Sequence, residues 1–287
     1  MQELIIQSII SGILLGGLYG VLATGLDIII GVSNIADFAQ GEILMLAMYT
    51  TFFLNTIFHI NIFLSLVVVP IIFIFIGLLL FLGIYARIIG KLTSTQIMYT
   101  GAFSLVLQNV ALVAWTSDPR QISNPYRMEA LVLGPFFLNK ALLIDFFLSI
   151  IITVAVYLFL YKTERGTLIR ATANNPELIS LLGLDPNKIY LQAYCLGVML
   201  TSLGGALLSI YYPMSPVVGS FYILIMFISM AIGGAGSIKG CWVGGMIIGI
   251  TQVLASTLLP INFQNIVFLI IFMLFVAFMP EGIFGRR

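Results

Sequence analysis

The chain has 287 residues, 61% hydrophobic and only 8% charged, with a formal net charge of +1 at pH 7. A soluble domain carries about 25% charged residues, so water cannot solvate this surface and the chain reads as an integral membrane protein. Its near-neutral balance removes the electrostatic basis for nucleic-acid binding. Cys195 and Cys241 both lie in apolar runs and read as small packing residues, since no CxxC or Cys/His cluster offers a metal or redox site.

A bilayer core of roughly 30 Å takes about 20 apolar residues as a helix. Backbone groups in lipid must be satisfied internally, and these runs lack the alternation of a barrel strand, so the expectation is an all-α polytopic bundle. The N-terminus, MQELIIQSII, lacks the basic region and cleavage site of a signal peptide, so it reads as the start of a retained span over 4–26. Gly12, Gly16 and Gly20 recur there at four-residue spacing, which lets helix backbones approach closely.

The next segment, 27–57, is too long for one span and is interrupted by SNIADFAQGE. Asn34, Asp37, Gln40, Gly41 and Glu42 fall at this interruption. Charged residues inside a membrane are costly and face a bundle interior or cavity, and a broken helix exposes backbone groups to a polar solute. Two readings stand at this point. Either these residues line a solute path, or they are wet at a loop.

Spans follow at 62–85 and 97–115, and His59 lies before the first of these as a lone interface residue. A turn-rich loop at 116–140 leads to a span over 141–161. The polar stretch 163–187 then separates apolar runs on both sides. Within it, Asn175 can cap a helix opening at Pro176, with Glu177 in the first turn and Gly183 at the end. That two-turn helix carries Leu178, Ile179, Leu181 and Leu182. A helix so short is not stable alone in water. It packs on its own bundle, on the bilayer surface, or on a soluble partner, and the exposed leucines favour the partner.

The remaining spans are 188–211, 218–235, 241–259 and 263–279. The sequence IGGAGSIKGCWVGG, residues 232–245, lacks the GxxxxGK[ST] spacing and a preceding strand, so it is read as a tight turn, not a phosphate loop. Gly233, Gly234, Gly236, Gly244 and Gly245 are expected to pack the helices around that turn. No HExxH, GxSxG or intramembrane aspartate pair suggests a hydrolase.

Alternating the spans puts nine lysines and arginines on one side: Arg87, Lys91, Lys162, Arg165, Arg170, Lys188, Lys239, Arg286 and Arg287. Three, Arg120, Arg127 and Lys140, fall on the other. The positive-inside rule makes 163–187 and the C-terminus cytoplasmic and 116–140 external. One net crossing over 27–57 gives nine spans and an external N-terminus; two give ten and an internal one. The expected architecture is therefore one transmembrane domain over 1–287 with about 8–10 helices, one of them broken.

Several stretches together resemble the permease subunit of the high-affinity branched-chain amino acid ABC transporter family. They are GILLGGLYGVLATGLDIIIGV, GVSNIADFAQGEILMLAMY, ERGTLIRATANNPELISLLGL, IGGAGSIKGCWVGGMIIG and MPEGIFGRR, and the likeness covers nearly the whole chain. The resemblance implies an inner-membrane permease that hydrolyses nothing and binds no cofactor, with ATP and Mg held by two cytoplasmic ATPase subunits. It further implies a second, homologous permease and an extracytoplasmic solute-binding protein. ATPase coupling would fall on Arg170, Ala171, Asn174, Glu177, Leu178, Leu181, Leu182 and Gly183, and the substrate path on Asn34, Asp37, Gln40, Gly41 and Glu42. The family's usual Asn and His are Asp37 and Gln40 here. A carboxylate beside the path would repel an amino acid's own carboxylate or attract its ammonium, so urea, short amides and nucleosides stay open as solutes. An ATP-independent channel or facilitator is the alternative class.

Overall fold

The computed structural model describes residues 2–124, 127, 129–133, 136–279 and 281–285. In chain order the helices are α1 (Gln2–Ser33), α2 (Gln40–Thr56), α3 (Ile62–Leu80), α4 (Ala86–Ile88) and α5 (Thr93–Trp115). A β-hairpin follows, β1 (Ala130–Leu133) and β2 (Phe136–Asn139). Then come α6 (Lys140–Lys162), α7 (Glu164–Asn174), α8 (Pro176–Leu181), α9 (Pro186–Tyr211), α10 (Val218–Gly233), α11 (Ile238–Leu258) and α12 (Ile261–Phe278). A π-helical turn, Phe81–Tyr85, joins α3 to α4.

Six helices are long and apolar enough to cross a membrane: α1, the continuous α3–α4 unit, α5, α6, α9 and α11. The helices α2, α10 and α12, of 17, 16 and 18 residues, complete the bundle among the described residues. Six and three make nine helices of sixteen residues or more among the described residues. The polar interruption does not break a helix in mid-course as expected. Residues 27–33 finish α1, the chain turns over 34–39, and α2 starts at Gln40.

α1 is the centre of the molecule, buried along most of its length from Ser8 to Ser33. It lies antiparallel to α11, and glycines set the separation. A Cβ on Gly12 would lie 2.5 Å from the Cα of Ile250, and one on Gly20 would lie 2.8 Å from the Cα of Trp242. Gly16 meets the Cα of Met246 just as closely, and Gly245 and Gly249 return the contact from α11. Lipid supplies no hydrophobic drive between helices, so backbone approach of this kind is what gives them dispersion contact. The other side of α1 packs on α9 by the same device, with Gly25 against Thr201 and Gly197 against Ile29.

These antiparallel pairings place the end of α1 beside the starts of α9 and α11. The amide of Gly236 donates to the Asp27 carboxylate at 2.7 Å, tying the 234–237 turn to α1. Gly233 and Gly244 are packing glycines, against the backbone of Gly240 and Ser229. Gly236 is different: nothing lies within 4 Å of its missing Cβ, and it serves through a φ of +82° that lets its amide face Asp27. Gly234 opens the turn against the C-terminal tail, where Ile283 and Phe284 amides donate to the carbonyls of Ile232 and Gly233 at 2.9 Å. The tail thereby satisfies two carbonyls at the end of α10. Arg286 and Arg287 lie outside the described residues.

At the opposite end, the expected turn-rich loop contains a hairpin that turn residues alone did not signal. β1 and β2 pair antiparallel from Ala130↔Asn139 to Leu133↔Phe136. Gln7 of α1 bonds the backbone of Phe137. The loop also closes the end of α9. Gln121 donates to the Tyr211 carbonyl at 3.2 Å and Asn124 to the Ile210 carbonyl at 2.9 Å, while Arg120 and Met214 exchange backbone bonds at 2.8 Å. These contacts satisfy a helix end and a connection that enter the bundle, where unpaired backbone is costly.

Candidate functional site

The first candidate lies at the basic end, on α7 and α8. Thr163 caps α7 by accepting from the Gly166 amide at 3.1 Å, and Gly166 presses on the backbone of Leu160, so α7 folds back over the end of α6. Arg170 donates from Nε to the Leu160 carbonyl at 2.9 Å and stacks 4.4 Å over Tyr161. It therefore fastens α7 to α6. Ala171 packs partly buried in the apolar cluster beneath α7. Asn174 lines a cleft of about 240 Å³ with Asn34, Arg170 and Gly236.

Asn175 caps α8 as expected, its Oδ1 accepting from the amides of Glu177 at 3.0 Å and Leu178 at 3.1 Å. Gly183 takes φ +78°. Its amide bonds Ser180 O at 3.0 Å and the Leu184 amide bonds Ile179 O at 3.2 Å, the paired closure of a Schellman motif. Both ends of a six-residue helix are thus fixed by its own sequence. Of the four apolar residues, Ile179 is 3% exposed and packs with Leu160, Ile169 and Ile189. Leu178, Leu181 and Leu182 are 55%, 82% and 73% exposed. One residue anchors the helix to the bundle and three stand outward.

The second candidate is the turn at 34–39 with the start of α2. Asp37 is fully buried and saturated. Its Oδ1 accepts from the Tyr85 hydroxyl at 2.6 Å and the Ala39 amide at 3.0 Å, and its Oδ2 from Gln40 Nε2 at 2.7 Å. Asp37 and Gln40 therefore hold the turn. Thr100 of α5 donates to the Ala36 carbonyl at 2.9 Å and secures the turn from its other side. The wet-loop reading does not survive this burial.

Glu42 differs from Asp37. It is 1% exposed, yet Oε2 has no hydrogen-bond partner among the described residues, and Oε1 receives only a long 3.5 Å contact from Ser104. A side chain at Gly41 would collide with the carbonyl of Gly219, and one at Gly219 would reach 2.7 Å from Glu42 Oε2. The two glycines let the starts of α2 and α10 meet at Glu42. Next to them Gln108 donates to Ser220 Oγ at 3.2 Å.

The sequence reading missed the α5 contribution, though its signal was present. Gln96, Thr100, Ser104 and Gln108 recur at four-residue spacing, one polar stripe that bonds in turn the Lys91 carbonyl, the Ala36 carbonyl, Glu42 and Ser220. Tyr85, at the π-turn, carried no such signal. A further buried carboxylate, Asp145 of α6, has neither oxygen paired among the described residues. No cluster of metal-ligating side chains occurs among the described residues.

Comparison with known proteins gives a consistent result. A family model described as "Branched-chain amino acid transport system / permease component" matches residues 8–277. The probable branched-chain amino acid transport permease protein LivH of Methanocaldococcus jannaschii is 29% identical, over 95% of this chain and 90% of its own length. The high-affinity branched-chain amino acid transport system permease protein LivH of Salmonella typhimurium is 24% identical, over 98% and 96%. The protein BraD of Pseudomonas aeruginosa, of the same description, is 23% identical over 98% and 96%. Among solved structures, PsaBC from Streptococcus pneumoniae in complex with Fab superposes with a TM-score of 0.51 and 13% identity over 96% of this chain and 92% of that one, a likeness of fold alone.

Proposed function

The chain belongs to the permease family of branched-chain amino acid transport systems, and from that premise we propose that it carries branched-chain or similar hydrophobic amino acids inward under the drive of a separate ATPase. It is a multi-pass protein of the cytoplasmic membrane, and hydrolysis belongs to its partners, not to this chain. The partners in this reading are a second homologous permease, two ATPase subunits and an extracytoplasmic solute-binding protein.

The observation that carries the coupling half of the proposal is α8. A helix of six residues is closed at both ends, anchored by Ile179, and leaves Leu178, Leu181 and Leu182 exposed. Large apolar side chains on a solvated loop are unfavourable unless something covers them. A groove on the ATPase is the natural cover, and α7, fastened by Arg170, transmits its movement to α6 and to the end of α1. The solute path runs beside the α2–α5–α10 junction, toward the second permease. Asn34 and Gly41 flank the turn, Asp37 and Gln40 fix it, and Glu42 faces the junction.

The test is solute selectivity in vesicles holding the permease pair, the ATPase and the binding protein. Uptake of leucine, isoleucine and valine, with urea, acetamide and adenosine failing to compete at hundredfold excess, is expected. Uptake of one of those three instead of the amino acids would overturn the solute assignment.

A further inference from the structure

Glu42 is a buried carboxylate without a counter-ion. The one ion pair among the described residues, Lys140 with Glu129, lies at the far end of the bundle. An uncompensated carboxylate inside a membrane is costly to keep and marks a functional position unless some cation reaches it. Glu42 also lies against the first turn of α10. That helix has 16 residues, about 24 Å, too short for a core of roughly 30 Å. It opens inside the bundle, where the ring of Tyr222 meets Tyr19 near the middle of α1 at 6.2 Å. Val217 at its N-cap supplies no side-chain hydrogen bond. The first amides of such a helix lack intrahelical acceptors and carry its positive end.

A carboxylate with an unpartnered oxygen lies beside a helix start bonded at its first amide alone, Val218 to Ser215 O at 3.1 Å, and the two form a complementary pair for a ligand with one charge of each sign. We infer that Glu42 and the first turn of α10 form a station for a zwitterionic α-amino acid. The ammonium meets Glu42, and the carboxylate meets the amides of Gly219 and Ser220. This deepens the amino acid reading above and rests on it. Gly219 is essential to the geometry, because any side chain there would occupy the space beside Glu42 Oε2. The hydrogen bond from Gln108 to Ser220 joins α5 to the first turn of α10. Only Gln96, Thr100 and Ala111 of α5 are buried, so α5 can part from α10 with little loss of packing.

The experiment uses the complete complex in vesicles and compares leucine with 4-methyl-2-oxopentanoate, which keeps the carboxylate and side chain but lacks the ammonium. Glu42→Gln should lower kcat/KM for leucine at least tenfold, with Glu42→Asp recovering part of the loss. The thermal stability of the complex should stay at the wild-type value. The keto acid should compete poorly with leucine in wild type and equally well in Glu42→Gln. Leucine uptake by Glu42→Gln within twofold of wild type would overturn the station and leave amino acid transport standing, since Gln reproduces a carboxyl that is merely protonated and structural. A wild-type complex that moves no amino acid would overturn both. Should Glu42→Gln not assemble, Gln108→Ala, which removes the bond to Ser220, provides the second reading: at least a threefold change in KM is expected, and unchanged kinetics would count against the station.

Discussion

Replacing Leu181 and Leu182 together with serine tests the coupling helix. Both side chains are largely exposed, at 82% and 73%, so their removal takes nothing from the folded bundle. Burying a leucine contributes roughly 1.5–3 kcal/mol, so two contribute about 3–6 kcal/mol when a partner covers them. Fixing the two side chains costs about 0.5–1.5 kcal/mol each. At mid-range values the net is about 2.5 kcal/mol, or ~60-fold in association at 1.4 kcal/mol per decade. Ile179 and both helix caps are untouched, so α8 keeps its shape. The assay is titration of purified ATPase onto the permease pair in nanodiscs, followed by leucine-stimulated hydrolysis. The doubly substituted pair should bind at least tenfold more weakly and lose stimulation, with insertion and thermal stability unchanged. Binding within twofold of wild type would refute the reasoning and assign the leucines to the bilayer surface.

Three further expectations follow from particular contacts. Single cysteines at the exposed positions Ser123 and Ser180, in a background with Cys195→Ser, should be distinguishable in intact cells by an impermeant thiol reagent; labelling at Ser123 alone is expected, and labelling at Ser180 alone would reverse the topology. Gly12→Leu should drive a side chain into the Ile250 backbone and destabilise by about 3 kcal/mol or more, read as a lowered Tm in detergent, whereas Gly101→Ala, with nothing within 4 Å, should be neutral or slightly stabilising. Asp37→Asn should lower thermal stability by about 1–3 kcal/mol, because an amide cannot accept all three hydrogen bonds that Asp37 now receives, and an unchanged Tm would remove its role in holding the turn.

Much of this was legible in the sequence for identifiable reasons. Hydropathy and length located most spans, and Asn175, Pro176 and Gly183 marked both ends of α8 because capping is local chemistry. Which face of α8 turns inward was not legible, since Ile179 and its neighbours are alike in composition and differ only in what lies beneath them. The sequence reading ended the first span at residue 26, whereas α1 continues past Asp27 to Ser33. A carboxylate there is tolerated only because the Gly236 amide, more than two hundred residues later, donates to it. The difference between Asp37 and Glu42 was hidden for the same reason. Their sequence settings are similar, and Tyr85 from another helix saturates one and not the other. The hairpin at 130–139 was missed because its pairing depends on Gln7 and on the loop that closes α9, not on a strong strand pattern.

The most direct test of a permease driven by an external motor is accumulation against a gradient. Vesicles containing the complete complex, with ATP on the ATPase side and labelled leucine with its binding protein on the other, should concentrate leucine at least tenfold above the external level. Without ATP, or with the Leu181→Ser and Leu182→Ser pair, no accumulation is expected. Equilibration of leucine at the same rate with and without ATP, reaching equal concentrations on both sides, would contradict the account and identify the chain as a facilitator.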